Sequence, residues 1–166
     1  MLSDATVHPA LPETLGDYTR PNLILPDLQQ SDTAGIISEL SHALLRSGSI
    51  PDLLPFYHTA LNQELLGNSV LGCGIAFPHA RVSNLKQLQF AIGRTAKPVV
   101  WGTKGSLPVQ FVFLMAVPAT EATGYLHLLA SLARLGQHPE VLRKLRIAAS
   151  ADELHQILLS LRLRPS

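Results

Sequence analysis

The spacing of apolar residues divides the chain into a helical first part, a strand-rich middle and a helical last third. In residues 31–47, apolar side chains recur every three or four positions, which is the period of an amphipathic helix. Ser31 or Asp32 is suited to cap its start, and Gly48 is suited to end it. The predicted buried face consists of Ile36, Ile37, Leu40, Ala43 and Leu44. A second helix is predicted over residues 51–66.

The middle of the chain has the shorter apolar runs that are typical of strands. Strands are predicted at residues 22–25, 69–77, 88–95, 99–101 and 109–117, with a turn at residues 102–105. The last run is interrupted only by Gln110 and is closed by Pro118. Such a continuous apolar run is typical of a central strand that is covered on both faces of its sheet.

The last third of the chain has helical periodicity again. Helices are predicted over residues 121–135 and 138–147, and a third follows Ser150, which forms an S-x-x-E capping box with Glu153. The first of these is expected to bury Leu126, Leu129, Leu132 and Ala133. This order of elements predicts a single-domain α/β sandwich, with a mixed central sheet flanked by helices.

The first 21 residues show no sustained period and contain three X-Pro pairs. We interpret residues 1–21 as a loose N-terminal tail and residues 22–166 as the folded domain. The alternative is an ordered arm that packs on a partner subunit.

Composition narrows the class of protein. The chain has 166 residues, 46% of them hydrophobic and 15% charged, as expected of one globular domain. Its net charge of +1 and the lack of a basic run argue against nucleic-acid binding. The single cysteine, Cys73, excludes an intrachain disulfide and a zinc site built from cysteines. No apolar run reaches membrane-spanning length and no secretory signal is visible, so we expect a cytoplasmic protein without membrane insertion.

The stretch with the clearest chemistry is residues 72–80, which read Gly-Cys-Gly-Ile-Ala-Phe-Pro-His-Ala. The glycines leave backbone amides uncovered, and Pro78 restricts the backbone directly before His79. An imidazole has a free nitrogen lone pair near neutral pH and can attack phosphorus, and bare amides suit a phosphoryl group. These residues suit a phosphorylated histidine, although from the spacing alone a loop histidine that caps a turn is the more common interpretation.

The segment Gly-Ile-Ala-Phe-Pro-His-Ala resembles the active-site segment of the type-2 EIIA proteins of the bacterial phosphotransferase system, the mannitol/fructose class with its nitrogen-regulatory branch. The similarity extends over residues 22–161. It implies a mixed sheet of about five strands flanked by helices. It also implies that His79 accepts a phosphoryl group from the phosphocarrier HPr or a nitrogen-branch counterpart. An EIIB-type acceptor or a regulatory target protein would follow, and no cofactor or metal is needed.

The resemblance also assigns roles to residues away from His79. His127 falls where family members carry a second active-site histidine, although a lone histidine among leucines is more commonly a packing residue. Ser69 stands where a hydroxyl could donate to phosphoryl oxygens. Gln63, before Glu64, stands where many relatives have an arginine, so the phosphate-binding charge is missing unless Arg81 or Arg94 supplies it.

The sequence leaves three candidate functions for this chain. The favoured one is a phosphotransferase component, a phosphohistidine carrier, of the free-standing nitrogen-regulatory type rather than the sugar-specific type. The second is an EIIA-like binding module that has lost phosphoryl transfer, which Gln63 motivates. The third is a hydrolase or transferase that uses Cys73 with His79, although a small apolar filler is the simpler interpretation of Cys73.

Overall fold

The computed structural model describes residues 11–67, 69–102, 107–121 and 123–163. It confirms the predicted α/β sandwich: a mixed six-stranded sheet lies between two groups of helices. The strands are β1 (Ile24–Leu25), β2 (Val70–Leu71), β3 (Ile75–Ala76), β4 (His79–Val82), β5 (Gln89–Val100) and β6 (Pro108–Pro118). The helices are α1 (Thr33–Arg46), α2 (Leu53–Leu66), α3 (Thr123–Leu135), α4 (Pro139–Ile147) and α5 (Ala151–Leu159). In this described part, no helix is both long and apolar enough to cross a membrane.

Strand β6 is the centre of the sheet, whose order is β1-β5-β6-β3-β2. It pairs with β5 as a long antiparallel hairpin. On its other side β3 and β4 follow one another along β6, both parallel to it, so that they form one interrupted strand. The interruption is Phe77-Pro78, immediately before His79.

Side chains of β6 alternate between two hydrophobic cores, as a strand that is buried on both faces requires. Phe111, Phe113 and Met115 belong to the core beneath α3, α4 and α5. Val112, Leu114 and Ala116 belong to the core beneath α1 and α2. The prediction of a central strand covered on both faces is therefore confirmed.

The predicted cap and buried face of α1 are confirmed. Asp32 is the N-cap, and its Oδ1 accepts a hydrogen bond of 2.7 Å from Gly35 N. All five residues of the predicted face are buried. At α5 the capping box is only half present. Ser150 Oγ accepts from Glu153 N, but the Glu153 carboxylate accepts from Ala149 N instead of the cap residue itself.

Two strand predictions need correction. Residues 69–77, predicted as one strand, form the short strands β2 and β3, joined by a turn in which Gly74 has a φ of 88°. Residues 88–95 and 99–101, predicted as two strands, lie largely within the single strand β5, because β5 continues through a bulge between Arg94 and Val99. The predicted turn at 102–105 lies mostly outside the described residues.

The predicted buried face of α3 is partly wrong. Leu132 is buried as expected, but Leu126 is 61% exposed and Ala133 is exposed too. The buried positions are Leu128, Ser131, Leu132 and Leu135. Because leucine and alanine occupy several faces of this helix, composition alone does not determine which face packs against the sheet.

Residues 11–21, which we assigned to the tail, pack against the C-terminal end of the domain. Leu15 and Tyr18 are buried in the core beneath α5, and Thr14 forms a β-bridge with Arg162. Leu15 N donates to Leu161 O at 2.9 Å, and Leu163 N donates to Glu13 O at 2.9 Å. Residues 1–10 lie outside the described part of the chain.

The contact between this segment and α5 predicts a steric effect at Gly16. A Cβ on Gly16 would lie 2.7 Å from the backbone nitrogen of Leu159, so Gly16→Ala is expected to lower the free energy of unfolding by about 1–3 kcal/mol. Urea denaturation followed by circular dichroism measures the change. Gly67→Ala is the control, because a Cβ there meets nothing within 4 Å. Equal stability of the two variants would show that residues 11–21 do not pack on α5 in solution.

Candidate active site

His79 is fixed by its strand neighbours. Pro78 stands between β3 and β4, and its carbonyl oxygen accepts a hydrogen bond of 2.9 Å from Met115 N on β6. His79 is the first residue of β4, in register with Met115. Its imidazole is half-buried. The Phe-Pro-His order therefore produces a ring that is anchored to the central strand yet open on one side.

Helix α3 brings a phenol to this imidazole. The Tyr125 hydroxyl lies 3.2 Å from Nδ1 and 3.4 Å from Nε2 of His79. The two ring centroids are 4.9 Å apart, with the planes tilted by 44°. Tyr125 thus provides both packing and a hydrogen bond to the candidate nucleophile.

The environment favours a neutral imidazole at His79. Burial lowers its pKa below the usual value, and the positive charge of Arg81 lowers it further. A backbone hydrogen bond with Phe77 and the negative charge of Glu64 oppose these two effects without overcoming them. Burial raises the pKa of Tyr125, so its hydroxyl keeps its proton. A neutral imidazole is the nucleophilic form, and a neutral phenol is a hydrogen-bond donor.

A buried carboxylate supports the segment that leads to His79. Glu64 on α2 is only 3% exposed. It accepts hydrogen bonds from Trp101 Nε1 at 2.5 Å, from Ser69 N at 2.8 Å and from Ser69 Oγ at 2.8 Å. Ser69 Oγ in turn accepts a 3.1 Å hydrogen bond from Phe77 N. This chain of bonds connects α2 to the residue two positions before His79.

The other residues of the predicted site are not gathered around His79. His127 is exposed on α3, and within the described residues no hydrogen bond or ring contact joins it to His79. The Ser69 hydroxyl donates its hydrogen bond to the Glu64 carboxylate. Gln63 is exposed on α2, and no side-chain hydrogen bond is found for it in the described part of the chain.

Of the two arginines considered as substitutes for a charge at Gln63, only Arg81 lies near His79. Arg94 reaches away from the site: its Nη1 donates to the carbonyls of Leu145, Arg146 and Ala148, and its Nε donates to that of Pro26. Arg81 is two residues after His79 on β4, and its charge influences the pKa of His79 and Tyr125.

Cys73 does not form a nucleophilic pair with His79. It packs on the core beneath α3, where a Cβ on Gly136 would lie 2.7 Å from its sulfur. Burial raises the pKa of the thiol, which disfavours the reactive thiolate. Among the described residues there is also no cluster of three or more His, Cys, Asp or Glu side chains that could hold a metal ion.

Sequence reasoning missed Tyr125. It lies two residues before His127, and positions i and i+2 of a helix point about 200° apart, so both cannot face one imidazole. The available signal was the helical spacing of Tyr125 with Leu128 and Leu132, which places the tyrosine beside the buried face. His127 was predicted instead, because family members carry a histidine as their second active-site residue.

Comparison with known proteins identifies the family. Residues 17–161 match the model of the family described as phosphoenolpyruvate-dependent sugar phosphotransferase system, EIIA 2. A nitrogen regulatory protein of Bradyrhizobium diazoefficiens is 27% identical over 142 residues, covering 86% of this chain and 92% of the relative. The 2-O-alpha-mannosyl-D-glycerate-specific EIIABC component of Escherichia coli is 32% identical over 120 residues, 71% of this chain but only 18% of that protein.

A solved structure gives the same result at the level of the fold. The crystal structure of the nitrogen regulatory protein IIA-Ntr from Neisseria meningitidis superposes with a TM-score of 0.72 at 28% identity, covering 86% of this chain and 97% of the other. The family match, the similar relatives and the superposition each cover most of this chain. This chain belongs to the EIIA 2 family of the phosphoenolpyruvate-dependent sugar phosphotransferase system.

Proposed function

We propose that this chain is a phosphohistidine carrier that accepts a phosphoryl group on His79 from an HPr-like protein. The observation that carries the proposal is the geometry of His79: a half-buried imidazole, fixed after Pro78 and hydrogen-bonded by Tyr125, in an environment that lowers its pKa. A fixed, neutral ring nitrogen is what nucleophilic attack on phosphorus requires.

The relatives support the nitrogen-regulatory branch over the sugar-specific one. The Bradyrhizobium relative and the Neisseria structure are both named nitrogen regulatory proteins, and this chain covers more than nine-tenths of each. The Escherichia coli EIIABC relative unites its EIIA with B and C parts in one chain. By analogy, the phosphoryl group would pass to an EIIB-type acceptor or alter binding to a regulatory target. A cytoplasmic location is part of this proposal, because such donors and acceptors are cytoplasmic in the family.

The roles that the resemblance implies for the remaining residues are kept as proposals. An exposed His127 is available to an incoming partner, where it would add a hydrogen-bond donor. Ser69 would contribute to phosphoryl binding only by exchanging its hydrogen bond to Glu64 for one to a phosphoryl oxygen. Gln63 would offer a neutral amide where many relatives have a positive charge.

A second candidate function is an EIIA-like binding module with impaired phosphorylation. The uncharged, exposed Gln63 favours it. If the missing charge limits transfer, Gln63→Arg should accelerate phosphorylation of the chain. An unchanged rate in that variant would remove this explanation.

The experiment is a phosphoryl-transfer assay with phosphoenolpyruvate, enzyme I and either HPr or its nitrogen-branch counterpart. The rate at which the chain gains one phosphoryl group is followed by intact mass for the wild type and for His79→Ala. We expect phosphorylation of the wild type only, and faster with the nitrogen-branch donor. No gain with donors that phosphorylate another EIIA protein would favour the binding module.

A further inference from the structure

Strand β4 places a positive charge beside the candidate phosphorylation site. Side chains at i and i+2 of a strand share a face, so Arg81 projects from the same face of β4 as His79. Ala80 and Val82 face the opposite core, beneath α1 and α2. The alternation therefore assigns His79 and Arg81 to the face that α3 covers.

The guanidinium of Arg81 lies over the connection between β6 and α3. Its Nη1 donates to Glu121 O at 3.0 Å, and to Pro118 O and Ala119 O at 3.4 Å each. Within the described residues, Nη2 and Nε donate no hydrogen bond, and the side chain is exposed. Arg81 is thus anchored by one nitrogen, with the other N–H groups available to an anion.

Tyr125 lies at the start of the helix that this connection leads into. Its hydroxyl is within 3.4 Å of both ring nitrogens of His79, so it lies over the face of the imidazole, because a position in the ring plane at these distances would overlap the carbon between the two nitrogens. A small rotation of the phenol would direct its proton to a group attached to either nitrogen. Arg81 shares a face of β4 with His79 and donates to the carbonyl of Glu121, four residues before Tyr125, so the three side chains lie in one cluster. Its charge also acts on both rings.

We propose that Arg81 and Tyr125 together bind the phosphoryl group on His79, with Arg81 supplying the positive charge that Gln63 lacks. The inference rests on the proposed function. In the step, a ring nitrogen of His79 forms a bond to phosphorus while the bond from phosphorus to the donor's imidazole nitrogen breaks, and the electron pair returns to the donor ring. The proton released by the other nitrogen of His79 matches the one that the donor ring takes up. No oxidation or reduction occurs.

The charges around His79 support a role for Arg81 and Tyr125 in binding the phosphoryl group. The phosphoryl oxygens carry close to two negative charges, and a guanidinium binds such oxygens with charge-assisted hydrogen bonds. Arg94 is unavailable, since two of its nitrogens donate to the end of α4 and to Pro26. Glu64, the acidic group that acts on His79, is buried and already accepts from Ser69 and Trp101. Arg81 is the cation that offsets the phosphoryl charge on this face.

The test compares Arg81→Gln, Arg81→Lys and Tyr125→Phe with the control Arg143→Gln, which removes an exposed charge on α4. Initial rates of phosphorylation by the HPr-type donor are measured by intact mass. We expect Arg81→Gln to lose about tenfold or more and Tyr125→Phe to lose about threefold or more. Arg81→Lys should keep part of the rate, and Arg143→Gln should keep all of it.

A second readout separates a charge effect from a structural one. Because Arg81 lowers the pKa of His79, Arg81→Gln should raise that pKa in an NMR titration of the unphosphorylated protein, whereas Arg143→Gln should not. A wild type that accepts phosphate, with Arg81→Gln and Tyr125→Phe accepting it equally fast, would overturn this inference alone. A wild type that accepts none would overturn the proposed function, and the inference with it.

Discussion

Glu64→Ala is expected to lower the free energy of unfolding by about 3 kcal/mol or more, since it leaves buried donors without an acceptor. The carboxylate is almost fully buried and accepts from the Trp101 indole and from both the backbone and the hydroxyl of Ser69. Each unsatisfied buried donor costs roughly 1–3 kcal/mol. Thermal unfolding should show the change as a Tm lower by roughly 6–12 °C.

Glu64→Gln separates hydrogen bonding from charge. The amide oxygen of glutamine can occupy the position of Oε1, which accepts from Trp101 and Ser69 N, while its NH₂ group donates to Ser69 Oγ. We expect Glu64→Gln to lower the free energy of unfolding by only about 1 kcal/mol. Gln63→Ala, one residue earlier and exposed, should change stability by less than about 0.5 kcal/mol. If Glu64→Ala is as stable as Gln63→Ala, the buried network does not support the site.

Arg94→Met is expected to lower the free energy of unfolding by about 3 kcal/mol, because this arginine donates hydrogen bonds to the carbonyls at the C-terminal end of α4. Its Nη1 donates to Leu145 O at 3.0 Å, Arg146 O at 3.2 Å and Ala148 O at 2.7 Å. Its Nε donates to Pro26 O at 3.0 Å, which connects α4 to the segment after β1. Carbonyls at a helix end lack partners within the helix, and a cation there also interacts favourably with the helix dipole.

Chemical denaturation of Arg94→Met, Arg94→Lys and Arg143→Met checks this prediction. Lysine keeps the positive charge but lacks the several N–H donors of the guanidinium group. We therefore expect Arg94→Lys to lower the free energy of unfolding by only about half as much as Arg94→Met. Arg143 is exposed on the same helix, and its replacement should change stability by less than about 0.5 kcal/mol. A result in which Arg94→Met unfolds with the same midpoint as Arg143→Met would contradict a capping role.

The features that could be predicted from the sequence are those that a local period determines. The buried face of α1 and the central position of β6 follow from spacing and continuous apolarity, and both are confirmed. The face of α3 was not predictable in the same way. Tyr125, Leu126 and Leu129 offer alternative apolar stripes, and only packing against the sheet determines which of them is buried.

The site, like the fold, has features that follow from local sequence and features that depend on contacts between distant residues. His79 follows from a proline that restricts the backbone and from glycines that open it, which are local effects. The contact of Tyr125 with His79, the hydrogen bond from Trp101 to Glu64 and the bonds from Arg94 to the end of α4 join residues that are 37 to 54 positions apart in the chain. Such contacts depend on how β3, β4 and β5 assemble on β6, which a single sequence does not encode as a pattern.

In the proposed function, His79 itself carries the phosphoryl group. The most direct test is to map the group by tandem mass spectrometry under non-acidic conditions, after phosphorylation by enzyme I and an active HPr-type donor. We expect one acid-labile phosphoryl group on the His79 peptide, absent in His79→Ala and retained in His127→Ala. A phosphoryl group on any other residue, or none on the wild type, would contradict it.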